Sequence, residues 1–167
     1  MKKLYEGKYI RLLERDGWEY VERTNASGAV IIIPVTDDGS LVLLKEWRVP
    51  LQKYVISWPA GITGDKGPEG IFEATNRELY EESGYKAGRL QVLLKCPSSV
   101  GLSNEMLTFV LADKLDKVGE GGGDDSEDIS VHVVPRHKLE KFLNDMASDG
   151  HHIDLKVFVG LYFLSRR

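Results

Sequence analysis

The sequence predicts an α+β domain, layered α/β/α around a mixed β-sheet, with a β-hairpin extension at its N-terminus. Three observations carry that reading. Strand-like segments come first, one helical stretch interrupts them, further strands follow, and two helices close the chain. The apolar runs are short and rich in β-branched residues, as strands require. At 167 residues, with no internal repeat and no linker, residues 1–167 fit one domain with one core.

Residues 8–13 and 17–24 read as short strands turning at Asp16-Gly17, so residues 1–27 are N-terminal strands. "GAVIIIPV" is a continuous apolar run and predicts a buried strand. Asp37-Asp38-Gly39 turns the chain into the strand "SLVLLKEWRV", and "KYVISW" follows as another. Three glycines make residues 61–67 a loop. From Pro68 to Ser83 the pattern is helical, with Phe72, Thr75 and Leu79 on one face and Gly84 just past the end. "LQVLLKC" and "EMLTFVLA" read as strands, and "GEGGGDDSED" as an acidic glycine-rich loop. In "ISVHVV" Ile129, Val131 and Val133 alternate with Ser130 and His132. Helices over about 136–147 and 153–165 finish the chain.

Composition narrows the function. Hydrophobic content of 42% and charged content of 29% are ordinary for a globular protein. A net charge of -4 without a Lys/Arg block disfavours nucleic-acid binding. Cys96 is the single cysteine, which excludes a disulfide framework and a thiolate zinc site. "MKKLYEGKYI" lacks the apolar run of a signal peptide, and no segment reaches the length of a membrane span. The expectation is a cytoplasmic protein with no nucleic-acid or membrane partner.

The densest chemistry lies in "RELYEESGY", residues 77–85. On a helix Glu78, Glu81 and Glu82 share one arc bordering the apolar stripe, and their repulsion costs roughly a few tenths of a kcal/mol per pair. A solvated acidic face is the plain alternative. A divalent cation reverses the sign of that repulsion, and Mg²⁺ prefers carboxylate oxygens while leaving room for substrate phosphate. Arg77 sits four residues from both Glu73 and Glu81, where it can brace the helix.

The stretch "GITGDKGPEGIFEATNRELYEESGY" (61–85) resembles the signature of the Nudix hydrolases: Gly, Glu, then seven residues before Arg-Glu-aliphatic-any-Glu-Glu-any-Gly-apolar. Glu69 lies eight residues before Arg77, and Glu78, Leu79, Glu81, Glu82, Gly84 and Tyr85 match in order. Seven residues separate Gly61 from Glu69 where the family has five, which reads as a two-residue insertion in the loop at "TGDK". The resemblance implies a Nudix-like fold. It also implies metal ligation by Glu78, Glu82 and the backbone carbonyl of Ala60, with Glu81 nearby. Glu69 would pair with Arg77 or join the ligands. The implied cofactor is Mg²⁺, with Mn²⁺ as a substitute.

Segments outside that box resemble the ADP-ribose pyrophosphatases and related nucleoside diphosphate sugar hydrolases. "EWRVPLQKYVISWPAG" is similar to their segment before the box, "GLSNE" to their loop after it, and "SEDISVHVV" to the loop and strand bearing their catalytic glutamate. Ser57 stands where those relatives carry Glu. The implied reaction is metal-assisted hydrolysis of a pyrophosphate bond, giving a nucleoside monophosphate and a sugar phosphate. Glu127 is the candidate base, with Asp124, Asp125 and Asp128 as competitors and Glu81 and Glu105 as further catalytic candidates. Trp18 and Glu19 are candidates for the nucleobase, and Arg23 and Arg48 for the diphosphate, because guanidinium matches phosphate oxygens in a bidentate way. Relatives of this kind suggest a homodimer that exchanges its N-terminal strands. Two alternatives stay open: another nucleoside diphosphate derivative as substrate (a dinucleoside polyphosphate or a nucleoside triphosphate), and a non-catalytic nucleotide sensor.

Overall fold

A single apolar strand joins two cores. Strand β4 (Gly28–Pro34) is buried on both faces, which is why its sequence runs apolar without alternation. Val30 and Ile32 pack with Leu79 and Ala112 beneath helix α1 (Ile71–Ser83). Ile31 and Ile33 face the larger core, with Leu41, Leu43, Trp58 and Phe109 and with Leu139, Leu143, Val157 and Leu164 of the closing helices. The computed structural model describes residues 1–64, 67–124 and 127–166. Asp125, one of the alternatives to Glu127, lies outside the described residues, as does the Asp65-Lys66 part of the insertion.

In chain order the elements are β1 (Lys2–Glu6), β2 (Ile10–Arg15), β3 (Trp18–Arg23), β4, β5 (Leu41–Arg48), β6 (Lys53–Ser57), β7 (Ala60–Thr63) and α1. Then come β8 (Tyr85–Pro97), β9 (Met106–Lys117), β10 (Ile129–Val134), a 3₁₀ turn at Arg136–Lys138, α2 (Leu139–Ser148), β11 (His152–Ile153) and α3 (Leu155–Leu164). The strands form two mixed four-stranded sheets, β7-β4-β9-β8 and β10-β5-β6-β11, and a three-stranded antiparallel sheet β1-β2-β3. In the first sheet β4 and β9 run parallel, and in the second β6 and β11 do. Helix α1 lies on one side of β4, and α2 and α3 contribute to the core on the other, giving the expected layering.

Several local expectations change. The N-terminal hairpin gains a third strand, β1. Residues 61–63 of the expected loop, with Ala60 before them, form β7, antiparallel to β4. Helix α1 starts at Ile71, after Pro68: Gly70 is its N-cap, and the Gly70 N–H donates to the Glu73 carboxylate at 2.8 Å. Phe72 is 45% exposed, whereas Ala74, Thr75, Leu79, Glu82 and Ser83 are buried. The buried face is thus turned toward a glutamate, not edged by it. In β10 the alternation fails at its end, where Val133 is exposed and His132 is half-buried against Phe142. Helix α3 meets the core at Gly160, where a Cβ would fall 2.5 Å from Trp58 Nε1. That indole N–H donates to the Lys156 carbonyl at 2.9 Å.

Candidate active site

Helix α1, the ends of β3, β5 and β7, and the loop before β10 enclose a cavity of about 820 Å³. Seven glutamates line it: Glu46, Glu78, Glu81, Glu82, Glu105, Glu120 and Glu127. Arg23, Arg48, Arg77 and Lys156 bring positive charge to the same walls. Of the expected site residues, Arg23, Arg48, Ala60, Glu78, Glu81, Glu82, Glu105 and Glu127 all reach this cavity. Trp18 and Glu19 do not line it; Trp18 is 70% exposed at the start of β3.

Arg77 organises the entry to α1. Its guanidinium donates to both Glu69 oxygens (3.2 and 2.8 Å), to Glu78 Oε1 (2.7 Å), to Glu81 Oε2 (3.3 Å) and to the Ile62 carbonyl (3.3 Å). Its hydrogen bonds to Glu69, and the charges of Glu78 and Glu69, hold its pKa above the usual arginine range. Gly61 supplies the space for this arrangement. A Cβ there would overlap the Glu78 carboxyl group, so β7 must present a bare backbone to that side chain. The Glu69–Arg77 pair expected from the sequence is present, and the strand at 60–63 is what delivers Gly61 and Ala60 to it.

Glu82 is only 6% exposed, and the Ala60 N–H donates to its Oε2 at 2.8 Å. Burial pushes its pKa up to about 9 against the Ala60 hydrogen bond, helped by the negative charges of Glu78, Glu46 and Glu127. A carboxyl group so placed is favoured in its neutral form by its surroundings. Among the described residues no three His, Cys, Asp or Glu side chains already converge as a metal cage. Arg77 draws Glu78 and Glu81 toward itself, and Glu82 is turned to Ala60. The donor set fits a hard divalent ion: it is carboxylate oxygen throughout, with no cysteine or histidine on the cavity wall.

The two arginines expected to hold phosphate are each paired within the cavity. Arg23 donates to Glu105, and Arg48 to Glu46. Strand β3 is moored to residues 99–105 by the Val21 N–H to the Leu102 carbonyl (2.8 Å) and by Asn104 Nδ2 to Glu22 (2.5 Å). The "GLSNE" segment therefore places Arg23. Glu127 also lines the cavity, its backbone N–H bonded to the Asp124 carbonyl at 3.0 Å and its carboxylate accepting from the Asp124 N–H at 3.1 Å. Asp128 is occupied by the Tyr54 hydroxyl at 2.5 Å.

Sequence reasoning missed Glu46, Glu120, Tyr80 and Lys156 as cavity residues. Glu46 carried a signal. It stands two residues after the fully buried Leu44 on β5, hence on the same strand face, where a charge is costly without a partner. Lys156 had none, because its approach depends on how α3 packs over Trp58.

A cavity lined by carboxylates and guanidinium groups, on an α/β/α frame, offers ligands suited to a hard cation beside hydrogen-bond donors suited to phosphate oxygens. Comparison with known proteins makes this more specific. No family model matches the chain. It is 33% identical over 129 residues to the ADP-ribose pyrophosphatase of Bacillus subtilis (71% of this chain, 66% of that protein). It is 30% identical over 159 residues to the ADP-sugar pyrophosphatase of Mus musculus (84% of this chain, 70% of that protein). A crystal structure of an ADP compounds hydrolase superposes with a TM-score of 0.67 at 25% identity, covering 86% of this chain and 80% of that one. The chain belongs to the Nudix family, in its ADP-ribose pyrophosphatase-like branch. It spans just under two thirds of the B. subtilis relative. No helix among the described residues is long and apolar enough to cross a membrane.

Proposed function

We propose that the protein hydrolyses the pyrophosphate bond of ADP-ribose or a related nucleoside diphosphate sugar, releasing a nucleoside monophosphate and a sugar phosphate. The observation that carries this is the buried Glu82 in the field of Glu78, Glu46 and Glu127, in one cavity with Arg23 and Arg48. Carboxylates at that density bind a divalent ion, and the arginines suit the diphosphate. The names of the two relatives point to the same substrate class.

Glu78, Glu82 and the Ala60 carbonyl would hold Mg²⁺ or Mn²⁺, which supplies charge neutralisation of the diphosphate and a lower pKa for water. Arg23 and Arg48 turn from Glu105 and Glu46 to the phosphate oxygens and orient the diphosphate. Water attacks one phosphorus, the bridging P–O bond breaks, and Glu127 takes the proton released by the water. Glu105, freed by Arg23, faces the same volume and helps orient that water. Glu81 stays with Arg77 and keeps the helix charge in register.

A homodimer completes the proposal. Tyr5, Tyr9, Ile10 and Trp18 are all exposed on or beside the N-terminal sheet, leaving an apolar surface there. Through it residues 1–27 can bring Trp18 and Glu19 to the nucleobase of the partner's site. The protein is placed in the cytoplasm, where the lone Cys96 stays reduced.

The test is product analysis on ADP-ribose beside other nucleotide sugars, dinucleoside polyphosphates and nucleoside triphosphates, with Mg²⁺ and with chelator. AMP and ribose 5-phosphate formed only with metal is the expected result. Preferential turnover of a triphosphate, or binding without turnover of any compound, overturns the reading.

A further inference from the structure

The segment Gly119–Gly123 closes the C-terminal end of α1. The last four carbonyls of an α-helix have no partner within the helix. Here each finds one: Tyr80 accepts from the Gly84 N–H (2.9 Å), Glu81 from the Gly123 N–H (3.0 Å), Glu82 from the Gly122 N–H (2.8 Å) and Ser83 from Lys117 Nζ (2.8 Å). The Gly84 carbonyl in turn accepts from the Val118 and Gly119 N–H groups (2.9 and 3.0 Å). The backbones approach so closely that side chains are excluded. A Cβ at Gly121 (φ 77°) would lie 2.5 Å from the Ser83 carbonyl carbon, and one at Gly84 (φ 74°) would overlap the Gly119 carbonyl. At the far end of the segment, a Cβ at Gly123 would overlap the Glu127 carboxylate, which accepts from the next residue's N–H.

The residues that cap Glu81 and Glu82 are thus continuous with those that hold Glu127. We propose that Gly119–Gly123 is a positioning collar: it fixes Glu127 relative to the carboxylates of α1, and Gly121 is the residue that lets it seat. The inference rests on the reading of Glu127 as the base. The collar acts on turnover through Glu127; displacement of the Glu82 and Ser83 backbone that a Cβ at Gly121 would meet is the rival route, and a loss by that route would multiply with that of Glu127→Gln. Substrate binding, which uses Arg23 and Arg48, is not its task.

Turnover of ADP-ribose with Mg²⁺ would be measured for Gly121→Ala, Glu127→Gln and the double variant. Gly121→Ala is expected to lower kcat on the order of 10²-fold with KM changed less than about twofold, since a displacement near 1 Å costs about that much. Glu127→Gln should fall further, and the double variant should fall no further than Glu127→Gln. Multiplying losses overturn the collar. So does near-normal kcat in Gly121→Ala beside an inactive Glu127→Gln. Near-normal kcat in Glu127→Gln overturns the base assignment and the collar's role together. Gly39→Ala is the strain control, since Gly39 shares a positive φ (81°) but a Cβ there meets nothing within 4 Å. It should keep its kcat, and a comparable loss there overturns the proposal. Amide exchange on the unmodified protein covers the case in which Gly121→Ala does not fold. Gly122 and Gly123 should exchange as slowly as the last turn of α1, and free-loop rates there overturn the collar.

Discussion

Helix α1 is held at its middle and at its end by different physics. From its middle turn a single guanidinium gathers Glu69, Glu78 and Glu81, and the restraint is electrostatic. At its finish the restraint is backbone hydrogen bonding from a glycine segment that lies more than thirty positions further along the chain. Charges there can be traded for other charges, so under the proposed function a divalent ion takes Glu78 while Glu81 stays with Arg77. The rear has no such freedom, because glycine is the only residue that fits. The helix is adjustable where it meets ligand and fixed where it is anchored.

The largest effect expected is at the junction of the two. Glu82→Gln should lower turnover at least about 10³-fold while the thermal transition survives, because the amide cannot carry the charge that holds a divalent ion. Near-normal activity in that variant, with Mg²⁺ present, removes Glu82 from the ligand set. The next separates the two restraints directly. Arg77→Ala should cost about 3 kcal/mol of stability, by leaving three carboxylates without their shared cation. Added Mg²⁺ should restore part of that loss, since one cation substitutes for another. Gly84→Ala should cost about 2 kcal/mol through strain and overlap, with no recovery on adding Mg²⁺. Equal recovery of both variants, followed by calorimetry, breaks the comparison.

A smaller effect follows from the buried carboxyl group. With metal removed, the Glu82 pKa stands at about 9 against its ordinary 4.5. The folded state then keeps a proton that the unfolded state releases. That contribution is fully present below about 4.5 and is lost as pH rises toward 9, so the melting temperature in chelator should fall across this interval. Glu82→Gln should flatten the dependence. An unchanged slope in that variant means that another group is titrating.

How much of this was visible beforehand follows the same division. Charged side chains at fixed spacings declare themselves: the Glu69–Arg77 pair formed as its spacing suggested, and Arg77, Glu78, Glu81 and Glu82 line one cavity. The double burial of β4 was equally plain in "GAVIIIPV". Backbone-mediated features were not. The glycine-rich stretch reads as solvated linker in one dimension, since nothing in "GEGGG" says which carbonyls its N–H groups will meet. Residues 61–63 looked like loop because glycine weakens any strand pattern, yet Gly61 leaves the space in which Glu78 lies against the strand. Phe72 was assigned to the buried face by periodicity alone. The helix turned instead to bury Glu82, an orientation that hydrophobicity argues against and that seats its carboxyl group on the Ala60 N–H.

The packing of Gly160 against Trp58 gives the protein an internal optical reporter. Trp58 is 1% exposed, while Trp18 lies open on the N-terminal sheet. Once Trp47, the third and also exposed indole, is replaced by Phe, blue-shifted, iodide-resistant emission will follow the docking of α3, and quenchable red-shifted emission will follow the N-terminal strands. One spectrometer trace can tell loosening of the last helix from detachment of the first sheet.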